Sequence, residues 1–312
     1  MTRKNDPLRG LHDAAYAASD AADLPKAVTL FSELIAQVPE NASYHYMRGL
    51  AHKYLRNWAE SLADNQRSIE LHDELDEASV WNAAIAATAL QRWDEVRRLW
   101  SLVGMDMHDG GRVDRKLGTA VIRLNPWHAG ETLWASRLDP VRAQIDNVPY
   151  AESGHRYGDI VLHDGASTGS RDDGQGRQVH VFNELQLLER SEFATFVAFV
   201  SAPAQADRNA LHDFDEGLGM IEDWTESVRH LCLRCSYGAV HNHERRLEGE
   251  WNPDRNLGIA ARKRSDVASA LAAWARAGSG RVVEAIESPE HEPPAFDTSH
   301  PWWCGNGDEA GN

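Results

Sequence analysis

The densest set of metal-binding side chains in this 312-residue chain is Cys232-Leu-Arg-Cys235, followed closely by His241-Asn-His243. Two thiolates at that spacing can hold one ion from a tight knuckle, and two imidazoles complete a tetrahedral N2S2 shell of the kind zinc prefers. Gly238 permits the chain reversal that so short a connection needs. On extended backbone the two histidine rings would face the same side, since residues two apart share a face. His230 or Cys304 could take the place of one of the four ligands. A closed shell has no open position for a substrate, so the expected cofactor is a structural zinc ion. The alternatives are a reduced thiol pair and a redox CxxC, the latter disfavoured because the motif does not open a helix of a βαβ unit.

Other chemistry-bearing residues are less organised. His128-Ala-Gly-Glu131, upstream of the CxxC, superficially suggests a zinc deaminase, but the histidine and glutamate are one residue too far apart and Leu231 stands where proline is needed. The segment Ser153-Gly-His-Arg-Tyr-Gly-Asp159 gathers polar groups ahead of a strand, and His155, Arg156, Asp159 and His163 form a candidate pocket. Asp164-Gly165 reads as a turn and not as a ligand pair. Neither a Ser/His/Asp set nor a phosphate loop nor a dinucleotide fingerprint emerges, so no catalytic residue is assigned and the chain is expected not to be an enzyme.

The elements that must position these groups follow from periodicity. From residue 112 to 287 the pattern predicts an α+β domain. Strands are expected at Thr119–Leu124, Glu131–Arg137, Asp159–Leu162, Gln178–Phe182, Phe193–Val200 and Arg281–Ile286, and helices at Ala204–Glu216 and Arg264–Ala277. The glycine-rich stretch Asp164–Gly176 is expected to be a mobile loop. Residues 105–111 read as a linker. Residues 288–312 combine prolines and acids with no Lys or Arg, the composition of a disordered tail in which Trp302-Trp303-Cys304 is the one sticky element.

Residues 8–104, after a short extension at 1–7, follow a different rhythm, with a period of about 34 residues. Ala15, Leu24, Ala27, Phe31 and Pro39 are matched by Gly49, Trp58, Ser61 and Asn65, and again by Ala84, Trp93, Val96 and Trp100 after one inserted residue. Small residues fall where two helices must approach closely, and large ones where the next pair must be covered. Through Leu24-Pro-Lys-Ala27, Trp58-Ala-Glu-Ser61 and Trp93-Asp-Glu-Val96 this third of the chain resembles the tetratricopeptide repeat (TPR) family. Asp73 in place of the usual exit proline and Asn65 in place of a common aromatic depart from the pattern. The resemblance implies three helix pairs whose inner groove binds a peptide or protein, lined here by Tyr16, Ser43, Tyr46, Leu50, Lys53, Tyr54, Trp81 and Ile85. With only three pairs, several of these could instead pack against the second domain.

Composition narrows the class of partner. Forty-eight acidic residues against 32 basic ones give a formal net charge of −16, which repels nucleic acid and steers in a basic protein. No run of about 18 apolar residues occurs, so no membrane span is expected. Three cysteines and no apolar leader point to a reducing cytoplasm. The expected function is protein binding, one specific form being an immunity-type protein that neutralises a toxin by direct contact. A TPR-docked enzyme or ligand-sensing module and a multi-partner scaffold are the alternatives.

Overall fold

A computed structural model of the chain describes residues 7–105, 117–227 and 251–303. The first of these segments consists of six helices: α1 (Pro7–Asp20), α2 (Leu24–Gln37), α3 (Ala42–Tyr54), α4 (Trp58–Leu71), α5 (Glu77–Ala89) and α6 (Trp93–Leu102). Aspartate or asparagine begins three of them by accepting an orphan backbone N–H: Asp23 from Lys26, Asn41 from Tyr44 and Asp76 from Ser79. Each helix pair turns through a residue with positive φ at the equivalent point of its repeat, Ala22, Arg56 and Gln91. The close approach of α3 and α4 depends on Gly49, where a Cβ would stand 2.6 Å from Asn65 Nδ2. Asn65 departs from the common aromatic because its amide is used here to bond the Ser61 carbonyl inside this contact.

The following region is α+β, as predicted, but it is built as two units. β1 (Thr119–Leu124), β2 (Glu131–Arg137), β3 (Arg142–Ile145), β4 (Ile160–Asp172) and β5 (Gln178–Glu189) form a closed barrel. Each strand runs antiparallel to the one before it. An up-and-down path with an odd number of strands must close on a parallel pair, and β1 pairs β5 in parallel through Val121↔Val181 and Ile122↔Phe182. Alternation along the strands sends Ile122, Leu124, Ala135, Ile145, Val161 and Phe182 into the barrel.

The second unit contains β6 (Ala194–Ser201), α7 (Gln205–Asn209), β7 (Met220–Asp223), α8 (Trp224–Ser227), β8 (Asp254–Ala261), α9 (Arg264–Arg276) and β9 (Val282–Glu287). Its sheet order, β7-β8-β6-β9, with a crossover helix after β6 and another after β8, is the split βαβ arrangement of ferredoxin-like sheets. Val267, Leu271 and Trp274 of α9 pack on Phe196, Val200, Leu257 and Ile259. Trp224 ties the sheet to the barrel by donating from Nε1 to the Val148 carbonyl at 3.2 Å.

Several expectations are corrected. Residues 164–172 belong to β4 and not to a loop, and only the tip at Asp173–Arg177 is a turn. There, Asp172 and Asp173 carboxylates accept backbone N–H groups and order the glycine-bearing turn. The helix expected over 204–216 is a single short turn, α7, continued as a 3-10 segment at Ala210–Phe214. Strands β3, β7 and β8 escape the sequence pattern. The presumed disordered tail is placed as far as Trp303, with Trp302 only 1% exposed. Acidic composition makes that segment soluble, but its aromatic residues bury enough apolar surface to anchor it.

Candidate functional site: the repeat groove

The eight residues predicted to line the groove divide into two groups. Tyr16, Tyr46 and Leu50 are half-buried and Ser43 is exposed. Tyr16 meets the Phe31 ring edge-on at 5.3 Å and lies 4.5 Å from the His12 ring. Lys53, Tyr54 and Ile85 are buried, and Trp81 is partly so. What covers them is the barrel.

β4 carries a bulge between the pairs His163↔Glu184 and Ser167↔Phe182, where it takes more residues than β5 to cover the same rise. The bulged residues, Asp164-Gly165-Ala166 opposite Asn183 alone, are thrust toward the array. The Asp164 carboxylate accepts from Lys53 Nζ at 3.0 Å and from Tyr54 Oη at 2.9 Å, and Lys53 Nζ also donates to Asn82 Oδ1 at 3.0 Å. Burial by itself would raise the pKa of Asp164, but the Lys53 ammonium and the Tyr54 hydroxyl hold it below the usual carboxylate range. Gly165 is required where it stands: a Cβ there would come within 2.7 Å of Trp81 Cε3. Trp58 Nε1 donates to Gln186 Oε1 of β5 at 2.6 Å, and the Arg142 guanidinium lies over the Trp93 ring at 4.8 Å. Leu162, Leu185, Val141 and Trp127 of the barrel share one apolar cluster with Leu62, Ile85, Leu99 and Trp100 of the array.

The second wall is the C-terminal segment. Trp302 meets Tyr54 edge-on at 5.9 Å and Trp127 at 5.7 Å, while Trp303 stacks on Tyr54 at 5.0 Å. The groove over the second and third repeats is thus filled by the chain itself, and the open part lies on the first and second.

Of the four residues of the predicted pocket, His155, Arg156 and Asp159 share the loop before β4 and His163 stands apart. His155 is buried with Nε2 donating to Glu184 Oε1 at 2.8 Å and Nδ1 facing the Ser153 carbonyl at 3.1 Å. Burial opposes its charge, but Glu184 and the Ser153 carbonyl prevail and raise its pKa. Asp159 accepts from Ser191 N at 2.7 Å and Arg156 N at 2.9 Å, organising the loop. His163 sits elsewhere, its ring 4.8 Å from Phe182 of the barrel interior, and burial pushes its pKa down to about 4. Asp164-Gly165 is no turn. A real surface hollow of about 500 Å³ lies between barrel and sheet, bordered by Gln144, Asp146, Tyr157, Arg190, Glu192 and Phe193. None of the four predicted residues lines it.

Cys232, Cys235, His241 and His243, with His230 and Cys304, lie outside the described residues. Among the described residues, no cluster of three or more His, Cys, Asp or Glu side chains could hold a metal ion, and no helix is long and apolar enough to cross a membrane.

No protein-family model matches the chain, and no curated protein does. Among solved structures it is similar to the TPR2B domain of yeast Sti1 in its pHsp70 complex, at 22% identity and a TM-score of 0.27, covering 31% of this chain and 82% of that one. It is also similar to the TPR2AB domains of yeast Sti1 in their pHSP90 complex, at 23% identity and a TM-score of 0.27, covering 32% of this chain and 42% of that one.

Proposed function

We propose that the chain is a protein-binding protein whose partner docks on the open end of the repeat array, where Tyr16, Tyr46 and Leu50 remain half-buried and Ser43 exposed on successive inner helices. The observation that supports this is the division of the groove: its closed half already grips an extended strand of the chain through side chains on the same inner helices. A surface built to hold extended polypeptide continues into the open half. Tyrosine at such positions supplies contact area with little loss of side-chain freedom. The net charge of −16 favours a basic partner.

In its more specific form, the proposal is an immunity-type role, in which one tight complex neutralises a toxic protein. Co-expression with the products of neighbouring genes, followed by native purification, tests it. A stoichiometric complex weakened at least tenfold by Tyr46→Ala is expected; complexes indifferent to Tyr16→Ala and Tyr46→Ala would move the binding surface elsewhere, and recovery of no partner would sink the reading. We also propose, on residue types and spacing alone, that Cys232, Cys235, His241 and His243 hold a structural zinc ion. Metal analysis of the purified protein should find about one zinc per chain at a four-ligand site, lost in Cys235→Ala; equal metal content in both proteins would refute the site.

A further inference from the structure

The segment after β9 has no regular secondary structure through Thr298, yet it crosses the joint between array and barrel by way of a few strong anchors. Its backbone passes over Gly154, where a Cβ would be 2.1 Å from Pro293 N. The Pro294 carbonyl accepts from Trp127 Nε1 at 3.3 Å, and the Trp302 carbonyl accepts from Asn183 Nδ2 at 2.9 Å. Between these tethers, Phe296 and Trp127, edge-on to each other at 5.4 Å, form a corner that holds the guanidinium of Arg56, whose centre lies 3.8 Å and 4.2 Å from the two ring centroids. Arg56 Nε and Nη2 are buried with no hydrogen-bond acceptor among the described residues, so the two rings, together with the charge of Glu184, stabilise this cation. Trp302 then plugs the space between Tyr54, Trp127 and Phe296.

This is the anatomy of a bound peptide. Two aromatic anchors fill a prepared box, the intervening residues 297–301 are largely exposed, and no strand ladder adds to the hold. A segment tied down so locally opens at a lower free energy than the cores it covers.

We propose that Arg56, Tyr54, Trp127 and Asn183 form a peptide-binding site for an extended segment bearing Pro-Pro-x-Phe and a following Trp-Trp, and that residues 293–303 occupy it as an internal, exchangeable strap. The site takes an aromatic, acid-flanked peptide like the strap itself, which carries Glu290, Glu292 and Asp297 around its anchors. A partner that presents the same anchors would compete with the strap and free Tyr54 and Trp303 at the edge of the repeat groove. This inference does not depend on the proposed partner surface over the first and second repeats.

Hydrogen exchange on the full-length protein tests it directly. Amides of residues 295–303 should exchange at least tenfold faster than those of β1 and α5, by a local opening independent of denaturant at low concentration. In the full-length Phe296→Ala/Trp302→Ala variant, a fluorescein-labelled peptide of residues 288–303 should bind saturably in trans. It should bind the unaltered chain at least tenfold more weakly, and the same peptide with both aromatics replaced should not bind. Exchange of the strap only through global unfolding would overturn the proposal, and so would a folded variant that ignores the peptide. Should the variant fail to fold, the exchange measurement on the unaltered protein decides alone.

Discussion

At the scale of single residues, two buried groups set measurable quantities. His163 stays neutral in the barrel because burial holds its pKa at about 4, while in the unfolded chain it titrates near 6.5. Below that value the unfolded state takes up the proton and the native state does not. The stabilisation present above pH 6.5 is therefore lost as pH falls toward 4, by on the order of 1 kcal/mol per pH unit. His163→Asn, which can still donate toward the Asp164 carbonyl, should flatten that slope relative to the unaltered chain in urea titrations at several pH values; parallel slopes would contradict the assignment. Asp164 is the second group. Asp164→Asn leaves Lys53 buried without its counter-charge and should cost about 3 kcal/mol. Lys53→Met/Asp164→Leu, which removes both charges, should cost clearly less; an equal loss in the two variants would show that the pair itself contributes little to the penalty. The sequence displays both residues, yet Asp164-Gly165 has the composition of a turn, and only the bulge in β4 turns that dipeptide into a docking point.

At the scale of elements, the bulge links local geometry to domain contact. It aims Asp164 at the array and brings the Gly165 backbone against Trp81, so Gly165→Ala must separate β4 from α5 or rotate the indole. A loss of roughly 1–3 kcal/mol is expected, the usual range for overpacking, with a shift in tryptophan fluorescence that Gly174→Ala at the open hairpin tip should not share. The six helices were legible because their small and large residues recur with the 34-residue period and three of them begin on a capping Asp or Asn. β7 and β8 were not: β7 has only four residues, too few for alternation to register, and β8 is buried along most of its length, so its pattern is a continuous run instead of a two-residue alternation. The helix expected over 204–216 failed because Ala210–Phe214 tightens into a 3-10 turn beneath α9.

At the scale of the whole molecule, the array and the barrel share one apolar cluster, in which Leu62, Ile85 and Trp100 meet Leu162, Leu185 and Trp127. Neither surface could be exposed without losing that burial, so the two should unfold in a single calorimetric transition even though their folds are unrelated. A separate, earlier melting of the helices would show that the shared cluster does not couple them. The repeat period, the three helix pairs, the α+β class of the remainder and the acidic surface were determined by the sequence alone, because each rests on local spacing or on composition. The closure of the barrel, the ferredoxin-like strand order and the fate of the groove were decided by tertiary structure. Lys53 and Asp164 are 111 residues apart and Asn183 and Trp302 are 119 apart. No local pattern encodes which of several lysines, acids or tryptophans will meet across such distances; folding selects the pairs that bury apolar surface while leaving each charge a partner.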